Sequence, residues 1–138
     1  MALLDTTVFV DLGGRGGKKK KAEAQEMLRQ LISQGETLLT SRINVAELYV
    51  GVELGDDPAR ELAAIQDHLS WIGVLELDDS AARSFGIIRA DLQRRGKLIG
   101  DLDLLIAGIA ITNGESVVTR NLAHFQNVPG LKVIGYGN

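Results

Sequence analysis

Residues 99–111, IGDLDLLIAGIAI, contain the stretch that decides the fold. From Leu104 onward every side of a helical wheel is apolar, and only Gly108 and two alanines reduce the bulk. A helix without a polar face lies in the middle of a domain and is covered all round. The Asn-Gly pair at residues 113–114 is a helix stop. The sequence therefore predicts a buried helix from Leu104 to this stop.

Two carboxylates, those of Asp101 and Asp103, directly precede the predicted helix. One acid in this position caps a helix and interacts favourably with its dipole, which is worth about 0.3–1 kcal/mol. A cap needs only one acid. The second acid therefore raises the alternative that the pair belongs to a functional site.

Length and composition restrict the class of protein. The 138 residues correspond to a single domain over residues 1–138. The absence of cysteine excludes disulfides and thiolate-held zinc or iron–sulfur centres, and two histidines are too few for a histidine-rich metal centre. No apolar run reaches the length that spans a bilayer, so we expect a soluble, cytoplasmic protein with no membrane partner. The net charge of −3 argues against a chain that is basic all over, but leaves room for a local basic patch.

The apolar spacing predicts strands that alternate with helices. Short strands are expected at residues 3–4, 37–40, 71–77, 115–118 and 131–134, and helices from 5–7, over 22–33, from 40–41 to 55, over 58–69, from 80 to 96 and from 104. This alternation predicts an α/β fold with a parallel central sheet of about five strands, covered by helices on both faces as in Rossmann-like domains. Ligands of such sheets bind outside the carboxyl ends of the strands.

Residues 13–21, GGRGGKKKK, are predicted to form a flexible, strongly basic loop. The loop is either a solvated linker or an electrostatic contact with a polyanion such as RNA. Its candidate contacts are Arg15, Lys18, Lys19, Lys20 and Lys21. Three basic residues farther along the chain, Arg94, Arg95 and Lys97, would join these five in a positively charged rim around the site.

Four carboxylates are candidates for a single acidic cluster. They are those of Asp5, Glu47, Asp101 and Asp103. Asp5 ends the first predicted strand, and Glu47 lies beside the apolar stripe of its helix. Carboxylates that converge raise one another's pKa, and a hard divalent cation such as Mg²⁺ or Mn²⁺ relieves the repulsion. A cation of this kind activates water and stabilises the leaving oxygen in phosphodiester hydrolysis. The alternative is that these acids are scattered helix caps and surface groups.

Four motifs resemble those of the PIN-domain ribonucleases, and more closely those of the VapC toxins of bacterial and archaeal toxin–antitoxin pairs. They are LDTT at residues 4–7, NVAEL at 44–48, GDLDLLIA at 100–107 and TRNLAHF at 119–125. Each motif is weak alone, but the four together, in this order and spacing, are specific. The resemblance implies a compact α/β/α domain that cleaves RNA with Mg²⁺ or Mn²⁺, is inhibited by a cognate VapB-type antitoxin and forms a homodimer.

The resemblance also implies the catalytic and metal-binding roles of the acids. The first family acid is Asp5, the second is Glu47, and the third, directly before Leu-Leu-Ile-Ala, is Asp103. Asp101 is an additional acid that we keep as a secondary site residue. The fourth family position is often Asp but is Asn121 here. An amide is a neutral ligand or hydrogen-bond partner, so the occupancy of a second metal is open.

The supporting candidates of the same site are Thr119, Ser41 and Asn121, and Arg120 is a further candidate for contact with RNA. Thr119 is expected to orient a carboxylate or a water. Ser41 has two alternatives, a similar orienting role or a place in a helix cap. Arg120 either faces a phosphate of the RNA or pairs with a surface acid. His124 is interpreted as part of a structural corner and not as a catalytic residue.

The apolar residues between positions 45 and 72 have two interpretations. Tyr49, Val52, Leu54, Leu62 and Trp71 could form the homodimer interface or an antitoxin groove. Burial within one chain explains them nearly as well.

Two other functions compete with a nuclease. A phosphoacceptor receiver domain needs paired acids after the first strand and a lysine after the last, whereas Asp5 stands alone and Lys132 does not follow the last strand. A protein that binds RNA or a partner without cutting is favoured by Asn121. The three remaining acids argue against it, because a binding surface has no need of carboxylates that repel one another.

Overall fold

Five parallel strands form the central sheet of the computed structural model, which describes residues 1–137. The strands are β1 (Ala2–Leu4), β2 (Leu38–Ser41), β3 (Gly73–Leu75), β4 (Ser116–Thr119) and β5 (Val133–Gly135). The helices are α1 (Thr6–Leu12), α2 (Lys18–Ser33), α3 (Arg42–Leu54), α4 (Pro58–Leu69), α5 (Asp79–Arg94), α6 (Asp101–Thr112) and α7 (Leu122–Phe125). The predicted α/β fold with a five-stranded parallel sheet is confirmed.

The strand β1 lies in the middle of the sheet, whose order is β3-β2-β1-β4-β5. It pairs with β2 through Leu3 opposite Leu39, and with β4 through Leu4 opposite Val118. The chain therefore extends the sheet on one side of β1 first and on the other side later, and the strand order reverses between β1 and β4. The carboxyl ends of these two strands border the crevice in which such sheets bind ligands.

Helices cover both faces of the sheet. Alternate residues of a strand point to opposite faces, and in β1 Ala2 and Leu4 belong to one apolar cluster whereas Leu3 belongs to the other. Side chains of α1, α2, α3 and α4 complete the first cluster, and side chains of α5, α6 and α7 complete the second. The predicted arrangement of a sheet between two helical layers is confirmed.

The apolar helix expected from the sequence is α6. Leu104 and Ile109 are fully buried, and Gly108 allows α5 to come close, since a Cβ there would lie 2.9 Å from the backbone oxygen of Ala81. The predicted burial is confirmed for residues 104–110, which are all buried or half-buried, and Leu102, which is 51% exposed, precedes the predicted start. With 12 residues α6 is too short to cross a bilayer, and within residues 1–137 no other helix is long and apolar enough to do so.

The prediction that Asp101 and Asp103 precede the helix is wrong, because both lie in the first turn of α6. The N-cap position is occupied by Gly100, which has no side chain that could cap. Carboxylates in a first turn interact favourably with the positive end of the helix dipole, so the helix extends back through them. Side chains two residues apart on a helix point about 200° apart, which directs these two acids to different sides.

The prediction of a flexible loop through residue 21 is also wrong, because Lys18, Lys19, Lys20 and Lys21 form the first turn of α2. Lysine is a good helix former, so the helix continues past its apolar stripe into a solvated turn. The irregular segment ends at Gly17, whose φ of 98° favours glycine. Four exposed ammonium groups thus surround the N-terminal end of a helix that has no acid in this turn.

Two strands are shorter than predicted, and Val52, one of the residues suggested for an interface, is buried. The strand β3 is confined to Gly73–Leu75, the residues that pair with β2, and Trp71 before it is 48% exposed. The last strand is Val133–Gly135, which pairs with β4. Val52 is buried in the core of the face formed by the first four helices, so it does not belong to an exposed interface.

Candidate active site

Asp5 lies at the crevice between the carboxyl ends of β1 and β4. It follows β1 directly, and its backbone N–H donates to the Val118 carbonyl at 2.9 Å. Asp5 occupies the N-cap position of α1, but its carboxylate makes no capping bond. The carboxylate accepts instead from the hydroxyl of Thr119, at the end of β4, over 2.8 Å. Only 5% of Asp5 is exposed, so this acid is a buried group of the crevice.

Glu47 reaches the same crevice from α3. Ser41 is the N-cap of α3 and forms a capping box with Asn44, which determines where the helix begins. Asn44 and Glu47 are separated by about one turn and share a helix face. The hydroxyl of Thr6 donates to Glu47 Oε1 at 2.7 Å and accepts from Asn44 Nδ2 at 3.0 Å. Asn44 Nδ2 also donates to Asp5 Oδ1 at 3.1 Å, so hydrogen bonds connect the two acids.

Asp103, in the first turn of α6, is the third acid of the crevice. Burial raises the pKa of Asp5, and the charge of Asp103 adds to this increase while the Thr119 hydrogen bond opposes it. Burial also raises the pKa of Glu47, and the charges of Asp5 and Asp103 add to the increase. Asp103 Oδ2 lies 3.1 Å from His124 Nδ1. In the part of the chain that the structure describes, no lysine or arginine forms an ion pair with these three acids.

The donor set of the crevice fits a hard divalent cation. Carboxylates in a partly buried crevice need a counter-charge, and their oxygens are the ligands that Mg²⁺ and Mn²⁺ prefer. Among residues 1–137, no three acidic or imidazole side chains converge closely enough to form a metal site by themselves. Mg²⁺ keeps several waters and shares its shell with substrate phosphates, so the chain need not supply every ligand. The residues that could hold the cation are Asp5, Glu47 and Asp103.

Comparisons with known proteins agree with this geometry. A family model described as the PIN domain matches residues 2–131. The chain is 38% identical to Ribonuclease VapC2 of Haemophilus influenzae, over 81% of this chain and 85% of that protein. The chain belongs to the VapC ribonucleases of the PIN-domain family.

Two further VapC proteins extend the comparison. The tRNA(fMet)-specific endonuclease VapC of Shigella flexneri is 38% identical over 83% of this chain and 85% of its own length. The crystal structure of DNA-bound VapBC from Salmonella typhimurium contains a chain that superposes with a TM-score of 0.82 at 34% identity, covering 97% of this chain and 96% of that one. The resemblance to VapC inferred from the four sequence motifs is confirmed.

The two acids in the first turn of α6 have different surroundings in this VapC chain. Asp103 interacts with the other crevice acids, whereas Asp101 pairs with Arg89 of α5 at 3.0 Å and its side chain is 63% exposed. Charge interactions therefore connect three of the four predicted acids, which among residues 1–137 do not converge closely enough to hold a metal without further ligands. Asp101 lies apart from them, in a salt bridge between α5 and α6.

The supporting residues take three different positions around the VapC crevice. Thr119 is fully buried and donates to Asp5, which orients that carboxylate. Asn121 is exposed at the start of α7, and its backbone N–H donates to Thr119 Oγ1 at 3.0 Å. Ser41 is the N-cap of α3, the second of its two predicted alternatives.

The basic residues predicted to contact RNA fall into two groups. The four lysines at residues 18–21 are exposed on the first turn of α2. Arg15 is engaged within the chain, since it pairs with Glu61 of α4 and donates to the Gly51 carbonyl at 3.3 Å. Among the more distant residues of the rim, Arg95 pairs with Asp91.

Arg120 is largely enclosed by the chain. Its Nε lies 2.7 Å from Asp11 Oδ2, and its Nη2 lies 3.4 Å from Glu23 Oε1. The guanidinium lies over the ring of Tyr136, 4.7 Å from the ring centroid. The Tyr136 hydroxyl donates to Asp11 Oδ2 at 2.7 Å. This geometry favours the pairing alternative for Arg120, with a buried acid in place of the surface acid that was expected.

Two residues of the site, Asn44 and Thr6, were not predicted from the sequence. The detectable signal for Asn44 is its place three residues after Ser41, which is the spacing of a capping box. Thr6 donates to Glu47, which is 41 residues away along the chain, and no local pattern reveals this contact. His124, interpreted as part of a corner, also lies in the site because of its approach to Asp103.

Proposed function

We propose that this chain is a divalent-metal-dependent endoribonuclease, the toxin of a VapBC-type pair, and that a cognate VapB-type antitoxin inhibits it. The observation that carries the proposal is the crevice between β1 and β4, where three acids interact without a lysine or arginine partner among residues 1–137. Acids arranged in this way hold the cations that promote phosphodiester hydrolysis. The ribonuclease names of the relatives support the reaction, and the VapBC structure supports the partner.

In this proposal Asp5, Glu47 and Asp103 hold Mg²⁺ or Mn²⁺ together with water. When bound, such a cation lowers the pKa of water and neutralises charge on the phosphate oxygens. The chain orients its carboxylates through Thr119, which donates to Asp5, and through Thr6, which donates to Glu47. These hydrogen bonds are already made within the chain, so the acids need little rearrangement when the substrate arrives.

The electrostatic contact with RNA is assigned to the first turn of α2. The lysines at residues 18–21 are exposed there and carry charge that the net charge of −3 conceals. Phosphate contacts supply affinity and little sequence information, so these lysines do not define the RNA target. The Shigella flexneri relative is named for tRNA(fMet), which makes tRNA the first structured RNA to test. Action in the cytoplasm is part of this proposal.

Exposed apolar side chains are proposed as the surface that meets a second copy or the antitoxin. Tyr49 and Leu54 lie on α3, Leu62 on α4 and Trp71 just after α4, and all four are exposed. An exposed apolar patch of this kind marks an interaction surface more often than a solvated face.

The test is RNA cleavage by the antitoxin-free chain with Mg²⁺, with Mn²⁺ and with a chelator. Wild type is expected to cut only with metal, and Asp5→Asn and Asp103→Asn are expected to lose cleavage. Asp101→Asn is a matched control, because Asp101 lies in the same helical turn as Asp103 but pairs with Arg89. The control should keep most of the activity. Cleavage without metal, or full activity of both crevice variants, would contradict the proposal.

A non-cleaving RNA-binding protein is the second candidate, and Asn121 is the residue that favours it. A metal site raises the melting temperature through linkage, whereas a binding surface without metal does not respond. We therefore expect Mn²⁺ to raise the melting temperature of wild type and Asp5→Asn to abolish the increase. RNA binding without cleavage, combined with no response to Mn²⁺, would favour the second candidate.

A further inference from the structure

Asn44 is a fully buried amide that uses both its oxygen and its nitrogen in hydrogen bonds. Its Oδ1 accepts from the backbone N–H of Ser41 at 3.3 Å and lies 2.5 Å from the Ser41 hydroxyl. Its Nδ2 donates to Asp5 Oδ1 at 3.1 Å and to Thr6 Oγ1 at 3.0 Å. A backbone N–H can only donate, so the amide oxygen must face Ser41 and the NH₂ group must face the crevice.

The two donors of this NH₂ group lead to two different acids. One hydrogen bond ends directly on Asp5. The other ends on the Thr6 oxygen, whose own proton is donated to Glu47 Oε1 at 2.7 Å. A chain of two hydrogen bonds therefore leads from Asn44 through Thr6 to Glu47. One buried side chain thus orients two carboxylates that come from different elements of the fold.

The position of Asn44 on α3 holds the amide still. It lies three residues after Ser41 and three residues before Glu47, so its side chain is a neighbour of both. The backbone N–H of Ser41, which belongs to the capping box at the start of α3, determines which end of the amide faces the crevice, and it does not depend on the Ser41 hydroxyl. Because the Asn44 side chain is bonded at a helix terminus and enclosed by the core, few rotamers are accessible to it.

We propose that Asn44 is a positioning residue that holds Asp5 and Glu47 in the relative orientation needed to bind one divalent cation. The inference rests on the proposed function, because it assigns the cation to these two acids. Residues that orient metal ligands through hydrogen bonds contribute to metal affinity without contacting the metal. The effect of Asn44 is therefore expected in metal binding and not only in stability.

The test compares the Mn²⁺ affinity of wild type, Asn44→Leu and Asn44→Ser by calorimetry on the complete chain. Leucine has a similar volume and no donor, and serine keeps one donor in a smaller side chain. Asn44→Leu is expected to weaken Mn²⁺ binding about 10- to 100-fold, and Asn44→Ser by a smaller factor. The Mn²⁺ concentration for half-maximal RNA cleavage should rise by the same factors. If Asn44→Leu does not fold, Asn44→Ser supplies the comparison. A folded variant with wild-type affinity would overturn the proposal.

Ser41→Ala is the matched control for a general loss of structure. It removes the cap hydroxyl but leaves the Ser41 backbone N–H and both donors of Asn44 in place. We expect it to lower the denaturation midpoint while its Mn²⁺ affinity stays near that of wild type. If Ser41→Ala and the Asn44 variants lose the same affinity at the same loss of stability, the role of Asn44 is structural only and the proposal fails.

Crystal structures of metal-free wild type and Asn44→Ser separate this inference from the proposed function. If wild type neither binds Mn²⁺ nor cuts RNA, the proposed function fails, and these structures decide the role of Asn44. A rotated Asp5 carboxylate and a lost bond between Thr6 and Glu47 in the variant would support positioning. Unchanged carboxylates would overturn it.

Discussion

Two clusters of acids lie close together, both built on the N-terminal segment of the chain and the residues at the end of β4. The crevice cluster consists of Asp5, Glu47 and Asp103, and the arginine cluster consists of Asp11, Glu23, Arg120 and Tyr136. In the arginine cluster a guanidinium faces both acids, and its side chain is only 13% exposed. In the crevice cluster Asp5 and Glu47 accept hydrogen bonds from hydroxyl and amide donors, and no lysine or arginine among residues 1–137 pairs with them.

The difference between the clusters lies in where the counter-charge comes from. A buried acid that is paired within the chain belongs to the scaffold, because removal of its partner leaves an uncompensated charge. Acids that are buried without a basic partner destabilise the folded chain and are candidates for a functional site. The raised pKa values of Asp5 and Glu47 are the signature of the second kind. The same residue type therefore serves opposite purposes in neighbouring parts of one fold.

The clusters are connected through Thr7. Its hydroxyl accepts from the backbone N–H of Arg120 at 3.1 Å and lies 3.4 Å from the hydroxyl of Thr119. Thr119 in turn donates to Asp5. The arginine cluster thus holds the end of β4 against α1 and supports one wall of the crevice.

The largest effect is expected from Asp5→Asn. The variant should lose RNA cleavage by about 10²- to 10⁴-fold, because metal-ion catalysis supplies several kcal/mol of transition-state stabilisation. Its metal-free melting temperature should equal or exceed that of wild type, since the amide can still bond to Asn44 and Thr119 without a buried charge. Cleavage assays and thermal denaturation measure both quantities. A strongly destabilised variant would show that Asp5 is a scaffold acid.

Arg120→Met should instead destabilise the folded chain, with a loss of about 3–5 kcal/mol in the free energy of unfolding. The substitution leaves the buried Asp11 carboxylate without its guanidinium partner. Urea denaturation measures the change. Arg29→Met is the control, because Arg29 forms an exposed pair with Glu26, and it should cost at most about 1 kcal/mol. Equal losses in the two variants would remove the distinction between the clusters.

Asp5 and Glu47 should each contribute a decrease in the stability of the metal-free chain as the pH rises. The pKa of Asp5 and that of Glu47 are raised in the folded chain, mainly by burial. Between the ordinary carboxyl pKa and these raised values, the folded chain binds more protons than the unfolded chain. The free energy of unfolding therefore falls through this window and levels off above the raised values.

Urea denaturation in chelator, from about pH 4 upward, measures this dependence. Glu47→Gln is the informative variant, because the glutamine oxygen can still accept from Thr6. Its stability should decrease less than that of wild type over the same window. If the free energy of unfolding has the same pH dependence in Glu47→Gln and in wild type, the burial of Glu47 does not oppose folding.

The smallest effect is expected from replacing the lysines at residues 18–21 by glutamine. RNA binding by the Asp5→Asn variant, titrated at several salt concentrations, should weaken, and its salt slope should fall by about 0.7 for each lysine that contacts a phosphate. The stability should rise by about 0.3–1 kcal/mol, because four positive charges oppose the dipole of α2. An unchanged salt slope would place the RNA contact elsewhere.

The sequence alone determined the fold class and supplied the three acids of the crevice cluster as candidate site residues. The alternation of short strands with amphipathic helices is local, since it depends on the spacing of apolar residues, and it predicted the parallel sheet. The four motifs then identified Asp5, Glu47 and Asp103, which the structure brings to one crevice. The start of α6 was predicted incorrectly from the sequence. An α6 that starts at Asp101 directs Asp101 and Asp103 to different sides, and apolar periodicity does not detect a polar first turn.

Only the tertiary structure decided which charges are neutralised within the chain. Arg120 meets Asp11 across 109 residues of sequence, and Asn44 meets Asp5 across 39 residues. Such pairs depend on which strands are neighbours and on the direction in which each helix presents its side chains, and neither is contained in local spacing. Burial then gives these contacts their energy, because it removes the water that would otherwise screen each charge. For this reason the sequence supplied the candidate acids, and the fold determined which of them have no lysine or arginine partner among residues 1–137.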